Sequence, residues 1–371
     1  MHKVHLTYQL GNQRGAADDQ PLHHPLIAML AAVHATGSIS GAARKLGLSY
    51  RHVWGELKRW EVELGQTLVI WVKGQSALLA PFGEKLLWAE RRAQARLAPQ
   101  IEALRGELER AFAIAFDDSA GVVTMSASHD DALPRLRDLA QAEHRLLLDI
   151  QFTGSVDALA ALNDGHCLLA GFHALIDAPR RSPTARVYRP LLQPGKHKLI
   201  GFARRTQGLI VAAGNPLQIT ALADLGRPGV RFCNRLRGSG TRVVLDELLA
   251  AARLDADPLA GQVQAESSHH AAAQAVASGR ADATFGIEAA ARAHHLGFVE
   301  LAQEHYFLVV RSSGLQHPTV QALRSILESP AWNRLLEELP GYQSHHAGEV
   351  LSLRRVLPWW TYRAPKPGGH R

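Results

Sequence analysis

The chain has 371 residues, 46% of them hydrophobic and 20% charged. At about 150 residues per domain this suggests two or three soluble globular domains with a core of ordinary size. No apolar run reaches the ~18–20 residues of a membrane span, and the polar opening from Met1 to Gln20 lacks a signal core, so the chain reads as cytoplasmic. Its two cysteines, Cys167 and Cys233, form no CxxC pair, which argues against a disulfide scaffold or a cysteine zinc site. The net charge of +7 is uneven. Residues 1–115 carry 14 Lys and Arg against 10 Asp and Glu, residues 116–353 carry 22 against 24, and residues 354–371 carry five bases and no acid. A basic head on a near-neutral body fits a nucleic-acid-binding module joined to something else.

The first 20 residues show no apolar period and read as a flexible arm. From Leu26 the pattern is helical, with Leu26, Ile27, Leu30, Val33 and His34 recurring at three- and four-residue spacing. Thr36-Gly37-Ser38 ends that helix and caps a second, which carries Ile39, Ala42, Ala43 and Leu46. Gly47-Leu48-Ser49 breaks the chain again: glycine permits the turn, Leu48 is expected to plug the core beneath it, and Ser49 caps a third helix to about Leu64. Thr67–Val72 and Ala77–Ala80 predict a hairpin around Lys73-Gly74-Gln75-Ser76. From Pro81 to about Phe112 the chain is helical again, with a kink or two successive helices expected at Pro99. There Leu97, Ile101, Leu104 and Leu108 have the spacing of a coiled-coil seam, or of a helix packed on its own domain.

Helix, tight turn, helix and hairpin is the layout of a winged helix-turn-helix. On its third helix Val53 and Leu57 point inward, which leaves Ser49, Tyr50, Arg51, Trp54 and Lys58 on or near the outer face. Arg51 suits guanine acceptors, Ser49 and Lys58 suit phosphates, and Ser38 and Lys73 are further candidate DNA contacts. Trp54 reads equally as a wedge against DNA or as a core residue. The stretch ATGSISGAARKLGLSYRHVWGELKRWEVELGQTLV, followed by LLAPFGEKLL, resembles the DNA-binding domain of LysR-type regulators over residues 26–83. The opening Ser49-Tyr50-Arg51-x-x-Trp54 is similar to that of the molybdate-responsive, ModE-like branch, whose wing tip is usually longer and richer in glycine than Lys73–Ser76.

Beyond Asp117-Asp118 strand-like runs alternate with helices, which predicts an α/β fold with parallel sheets covered by helices. The predicted strands are Val122–Ser126, Leu146–Phe152, Leu168–Phe172, Leu209–Ala213, Val230–Cys233, Ala283–Ile287 and Phe307–Val310; helices are expected from Ala132 and Val156 and over Thr241–Ala252 and Ala271–Ser278. Arg237-Gly238-Ser239-Gly240-Thr241-Arg242 lies between a strand and a helix start, where unpaired backbone N–H groups and the helix dipole favour an anion. A plain Ser/Thr helix cap reads the same way. Similar loops recur at Ser126–Asp130, Thr153-Gly154-Ser155, Gly171-Phe172-His173, Ser267–His270 and Gly286-Ile287-Glu288, and in open α/β sheets such loops converge at the carboxyl ends of strands.

The segments GLIVAAGNP, RFCNRLRGSGTRVVLDELL and AVASGRADATFGIEAAARAHHLGFVEL resemble the two-lobed, type II periplasmic-binding-protein-like domain that is fused to molybdate-regulator helix-turn-helix heads. That resemblance implies a cleft ligand contacted by Ser126, Ser128, Thr153, Ser155, Ser239, Thr241 and Ser268, with Arg237, Gly240 and His269 as further candidates. The expected organisation is an arm over 1–22, a winged helix-turn-helix over 23–82, a linker or dimerisation helix over 83–116, a two-lobed effector domain over 117–353 and a basic tail over 354–371.

His129, His173, His269 and His270 fall on converging loops, yet no HxxxH or HExxH spacing supports a metal. There is no GxSxG elbow, no GxxxxGK[ST] loop and no dinucleotide fingerprint, so no catalysis is expected. The expectation is a ligand-responsive transcriptional regulator that binds double-stranded DNA as a homodimer, with pairing into tetramers left open. The loops imply a small anionic effector, and the resemblance implies molybdate or tungstate. Alternatives are a small organic acid, a molybdenum-cofactor-related metabolite, or an anion-binding protein with no DNA role.

Overall fold

The computed structural model describes residues 24–71, 76–116, 121–176, 182–254, 263–357 and 360. The chain divides into two compact units, Met1–Ala98 and Pro99–Arg371. The expected arm over 1–22, the hairpin tip with Lys73, the Asp117-Asp118 boundary and most of the basic tail lie outside the described residues. Among those described, no helix is long and apolar enough to cross a membrane.

In the first unit, α1 (Pro25–Thr36), α2 (Ile39–Leu46) and α3 (Tyr50–Leu64) enclose a core of Leu30, Val33, Ala42, Val53 and Leu57. The capping serines set the helix starts: Ser38 Oγ accepts from Gly41 N at 2.9 Å and Ser49 Oγ from His52 N at 3.1 Å. Gly37, Gly47 and Gly65 end the three helices in the left-handed region. Leu48 departs from expectation, since its side chain is 40% exposed. Its backbone N–H closes the turn onto the Ala43 carbonyl, and Val53 and Leu57 already fill the space beneath. The hairpin is shorter than predicted: β1 (Val69–Ile70) pairs antiparallel with β2 (Leu78–Leu79). Glu61 ties it to α3 by accepting from the N–H groups of Leu68 and Val69. Of the kink or two successive helices expected at Pro99, the second does not occur: a single helix, α4 (Pro81–Phe116), runs through it, because a proline withholds a single intrahelical donor, too little to end 36 residues of helix.

The second unit begins with β3 (Gly121–Ala127), α5 (Ala132–His144), β4 (Leu146–Phe152), α6 (Ser155–Asp164), β5 (Leu169–Leu175) and α7 (Pro183–Tyr188). It continues with β6 (His197–Val211), β7 (Phe232–Arg235), α8 (Gly240–Ala251), β8 (Val263–Glu266), α9 (His269–Ala277), β9 (Ala283–Ile287) and α10 (Glu288–Ala293). The long strand β10 (Gly297–Arg311) follows, then α11 (Pro318–Leu327), α12 (Pro330–Glu337), β11 (Tyr342–Gln343), β12 (Val350–Leu351) and α13 (Leu353–Val356). The sheet order is β4-β3-β5-β10-β6-β9-β7-β8, with β11 and β12 added against β6.

Each lobe has the parallel sheet expected from the alternation: β3 with β4 and β5 in one, β7 with β8 and β9 in the other. The centre is antiparallel. There β6 and β10, 15 residues each, run through both lobes as the paired hinge strands. The predicted strands at Leu209 and Phe307 are only parts of them; the polar middles, which no predicted strand covered, place Arg205 opposite Glu304.

Candidate functional site

On the first unit, α3 presents Tyr50 and Arg51 to solvent, and Arg51 makes no ion pair among the described residues. Three of the predicted DNA contacts, Ser38, Ser49 and Lys58, already have local partners. Ser38 and Ser49 spend their oxygens on caps, although a hydroxyl that accepts from a backbone N–H still has its own proton to donate. The Lys58 ammonium meets Glu61 at 2.7 Å and lies 4.8 Å above the Trp54 ring. Trp54 falls between its two readings: it is half-buried, packs on the helical core and meets Trp71 edge-on at 6.3 Å.

In the second unit the first turns of α6 and α8 meet. Val156 N donates to the Gly238 carbonyl at 3.4 Å, and Ser155 Oγ lies 3.2 Å from Ser128 Oγ at the end of β3. Gly240 is required by this approach, because a Cβ there would stand 2.7 Å from His173 Cδ2 and 2.8 Å from Ser155 Oγ. Thr241 Oγ1 reaches His269 Nε2 at 3.3 Å, which brings in the start of α9. Ser239 and Ser268 accept from backbone N–H groups as the caps of α8 and α9. Ser128, Ser155, Ser239, Gly240, Thr241, Ser268 and His269 are thus gathered at three helix N-termini. Thr153 sits beside them, half-buried. Ser126 is buried but bonded to the Cys167 thiol, and Arg237 is exposed.

The arginines that do enter this region were not singled out from the sequence. Arg205, 1% exposed, ion-pairs with Asp130 and with Glu304; Tyr342 donates to Asp130 at 2.6 Å and Gln207 to Glu304 at 2.8 Å. Burial raises the Asp130 carboxyl above its ordinary range despite Arg205. Arg235, at the end of β7, is 3% exposed and has no acid partner among the described residues. Its Nε donates to the Glu266 carbonyl at 3.2 Å and its Nη2 to the Ser267 carbonyl at 2.8 Å, while buried Nη1 has no hydrogen-bond partner. Burial first, and repulsion from Arg205 second, push its guanidinium down to about 9.

Burial and the same two arginines hold His173 and His269 well below the usual imidazole range, so both are neutral, each with an unpartnered Nδ1. Burial lowers His129 to about 4, whereas Asp131, 2.8 Å away, raises His270. Among the described residues no group of three or more His, Cys, Asp or Glu is arranged to hold a metal ion. The arrangement offers a neutral lining of hydroxyls, imidazoles and helix-end N–H groups around one unpaired buried cation.

Residues 136–328 match the PBP superfamily domain, and residues 26–84 match the bacterial regulatory helix-turn-helix protein, lysR family. The uncharacterized protein YvgK of Bacillus subtilis (strain 168) is 33% identical over 201 residues, which cover 54% of this chain and 64% of YvgK. The molybdenum-pterin-binding protein MopB of Rhodobacter capsulatus is 30% identical over 171 residues, covering 39% of this chain and 62% of MopB. The chain therefore spans just under two thirds of the length of these two relatives. The solved structure of CbnR, a LysR family transcriptional regulator, aligns with a TM-score of 0.41 at 16% identity over 81% of this chain and 96% of that one. The family matched by residues 26–84 is one of bacterial regulatory proteins, and MopB is named as a binding protein.

Proposed function

We propose, for a chain that belongs to the PBP superfamily and carries a lysR-family regulatory helix-turn-helix ahead of that domain, that the two-lobed unit binds a small oxyanion and so controls how the head reads operator DNA. One observation carries the reading: Arg235 is a buried cation with no carboxylate partner among the described residues, beside the N-termini of α8 and α9. An unpaired buried charge is costly, and an anion at helix N-termini is what offsets it. Molybdate or tungstate is the first candidate. The Ser49-Tyr50-Arg51-x-x-Trp54 opening supports it, as does the name of MopB, which equally favours a molybdenum-cofactor-related anion as a second reading.

Thermal unfolding of the full chain with molybdate, tungstate, sulfate, phosphate and small carboxylates tests this. At one hundred times its dissociation constant the true ligand adds about 2.7 kcal/mol. For a unit of this size that is an expected rise of roughly 5–10 °C. A rise with carboxylates alone replaces the oxyanion with an organic acid.

The head reads DNA through α3, and the seam of Leu97, Ile101, Leu104 and Leu108 on α4 pairs two copies. Two heads in a dimer call for a pseudo-palindromic site, and about 1–3 kcal/mol of coupling between ligand and DNA suffices for regulation. Arg51→Ala is expected to cost about 1–3 kcal/mol on the specific site, read by gel shift. An equal loss on random DNA makes Arg51 a phosphate contact. No specific complex at any salt concentration favours an anion-binding protein without a DNA role.

A further inference from the structure

The hinge strands carry a second cluster of basic groups far from Arg235. A cavity of about 500 Å³ opens where β6 begins and β10 ends, and no acid is among the eight residues that line it. Its size is within the range of small-ligand sites. Eight residues of strand, about 26 Å, separate His197 here from Arg205 at the centre.

The walls are held by bonds of their own. Ser312 N donates to the Lys196 carbonyl at 2.6 Å, and Ser312 Oγ to the Gly195 carbonyl at 2.8 Å. The Arg311 guanidinium is anchored through Nη2 on the Asn163 carbonyl at the end of α6; its other nitrogens make no hydrogen bond among the described residues. Lys196 and Arg311 pair with no acid among the described residues. His197 is buried, and its Nδ1 accepts from Gln193 N at 2.9 Å, which leaves Nε2 as the ring's N–H donor. Burial, then Arg311 and Lys196, hold this imidazole below its ordinary range, so it stays a neutral donor. The Ser313 hydroxyl also faces this lining, as does the Asn163 amide, which donates one of its hydrogens to the Leu191 carbonyl at 2.9 Å.

We propose that this cavity is a second binding site, distinct from the interlobe one, for a small polyanion with two or more adjacent negative charges, of phosphate or polycarboxylate chemistry. Two cations meet the charge, and the His197 N–H and the Ser313 hydroxyl orient it. The anchored guanidinium and the bonded loop make the site ready before the ligand arrives.

Titration calorimetry of the full chain with pyrophosphate and with citrate at low ionic strength tests the proposal, first in the wild type and then with the interlobe site saturated by molybdate or inactivated as Arg235→Gln. The expected result is one equivalent bound in every case, weakening as salt is raised. Lys196→Glu, a change at an exposed side chain, is expected to lower that affinity at least tenfold while any effect of molybdate on the melting temperature stays as it was. Preference for pyrophosphate or for citrate tells phosphate from carboxylate chemistry. Binding that disappears with Arg235→Gln, or that is unmoved by Lys196→Glu, overturns the proposal. Failure of the molybdate response alone bears on the interlobe reading and leaves this one intact.

Discussion

Arg205→Met is expected to destabilise the two-lobed unit by about 3–5 kcal/mol, the range for removing one partner of a buried ion pair, and so to lower the melting temperature by roughly 6–20 °C. Arg205 is flanked by Asp130 and Glu304, both fully buried, and the pairing of β6 with β10 sets Glu304 directly across the sheet from it. Without the guanidinium two carboxylates remain in the interior. Tyr342 and the Ala132 N–H still serve one, and Gln207 the other, but none of these supplies positive charge. The pH dependence has a definite sign. The folded Asp130 holds its proton more tightly than the unfolded one, so this group's contribution to stability falls as pH rises through the window above about 3.8. Removing Arg205 raises that carboxyl further and extends the window upward. Urea unfolding at pH 5 and pH 7.5 should therefore show the larger loss at 7.5. Adding Asp130→Asn and Glu304→Gln should recover most of the loss, since no unpaired charge is then left inside. A loss below about 1 kcal/mol at both pH values, on the scale of an exposed pair, would mean that this triad is not the buried charge cluster described.

The same triad marks the limit of what could be read in the sequence. The helical head was legible almost to the residue, because its signals are local: Ser38 and Ser49 cap within three residues, and Gly37, Gly47 and Gly65 stop helices where they stand. The α/β alternation and the convergence of Ser128, Ser155, Gly240, Thr241 and His269 were legible for a related reason, since each lies where a strand hands over to a helix. The hinge strands were not. Arg204-Arg205-Thr206-Gln207 and Gln303-Glu304-His305 look like surface loop until they are laid side by side, and the partners are 99 positions apart in the chain. Leu48 misled in the opposite direction: a lone leucine in a turn reads as a plug, although the turn is closed by its backbone.

The two arginines flanking Leu236 show how finely placement decides function. Arg235 is the last residue of β7 and is held inside by the carbonyls of Glu266 and Ser267; two positions on, in the turn before α8, Arg237 faces water. Spacing alone gave no reason to prefer the first. The bond to Ser267 aligns Arg235 with the start of α9, where its charge adds to the helix dipole instead of being neutralised by a side chain.

Arg235→Gln is accordingly expected to lower oxyanion affinity by roughly thirtyfold to a few thousandfold, because truncating one member of a buried charge pair costs about 2–5 kcal/mol and 1.4 kcal/mol is tenfold. Stability without ligand should change far less than in Arg205→Met. Glutamine can still donate to one of the two carbonyls, and the repulsion from Arg205 is gone. The pH response separates this role from a structural strap. Burial first, and Arg205 second, push the folded guanidinium down to about 9, below the range of an unfolded arginine. Between the two the unfolded chain binds a proton that the native one does not, so Arg235's contribution to stability increases with pH across that window. Oxyanion affinity should fall over the same rise, because the ligand needs the charged form. The difference between wild type and Arg235→Gln, followed by thermal unfolding and calorimetry from pH 7 to 10, isolates this group from the lysines and tyrosines that titrate nearby in pH. Should the variant lose stability as Arg205→Met does while keeping its affinity, Arg235 is a strap between β7 and α9, and the case for an anion between the lobes fails with it.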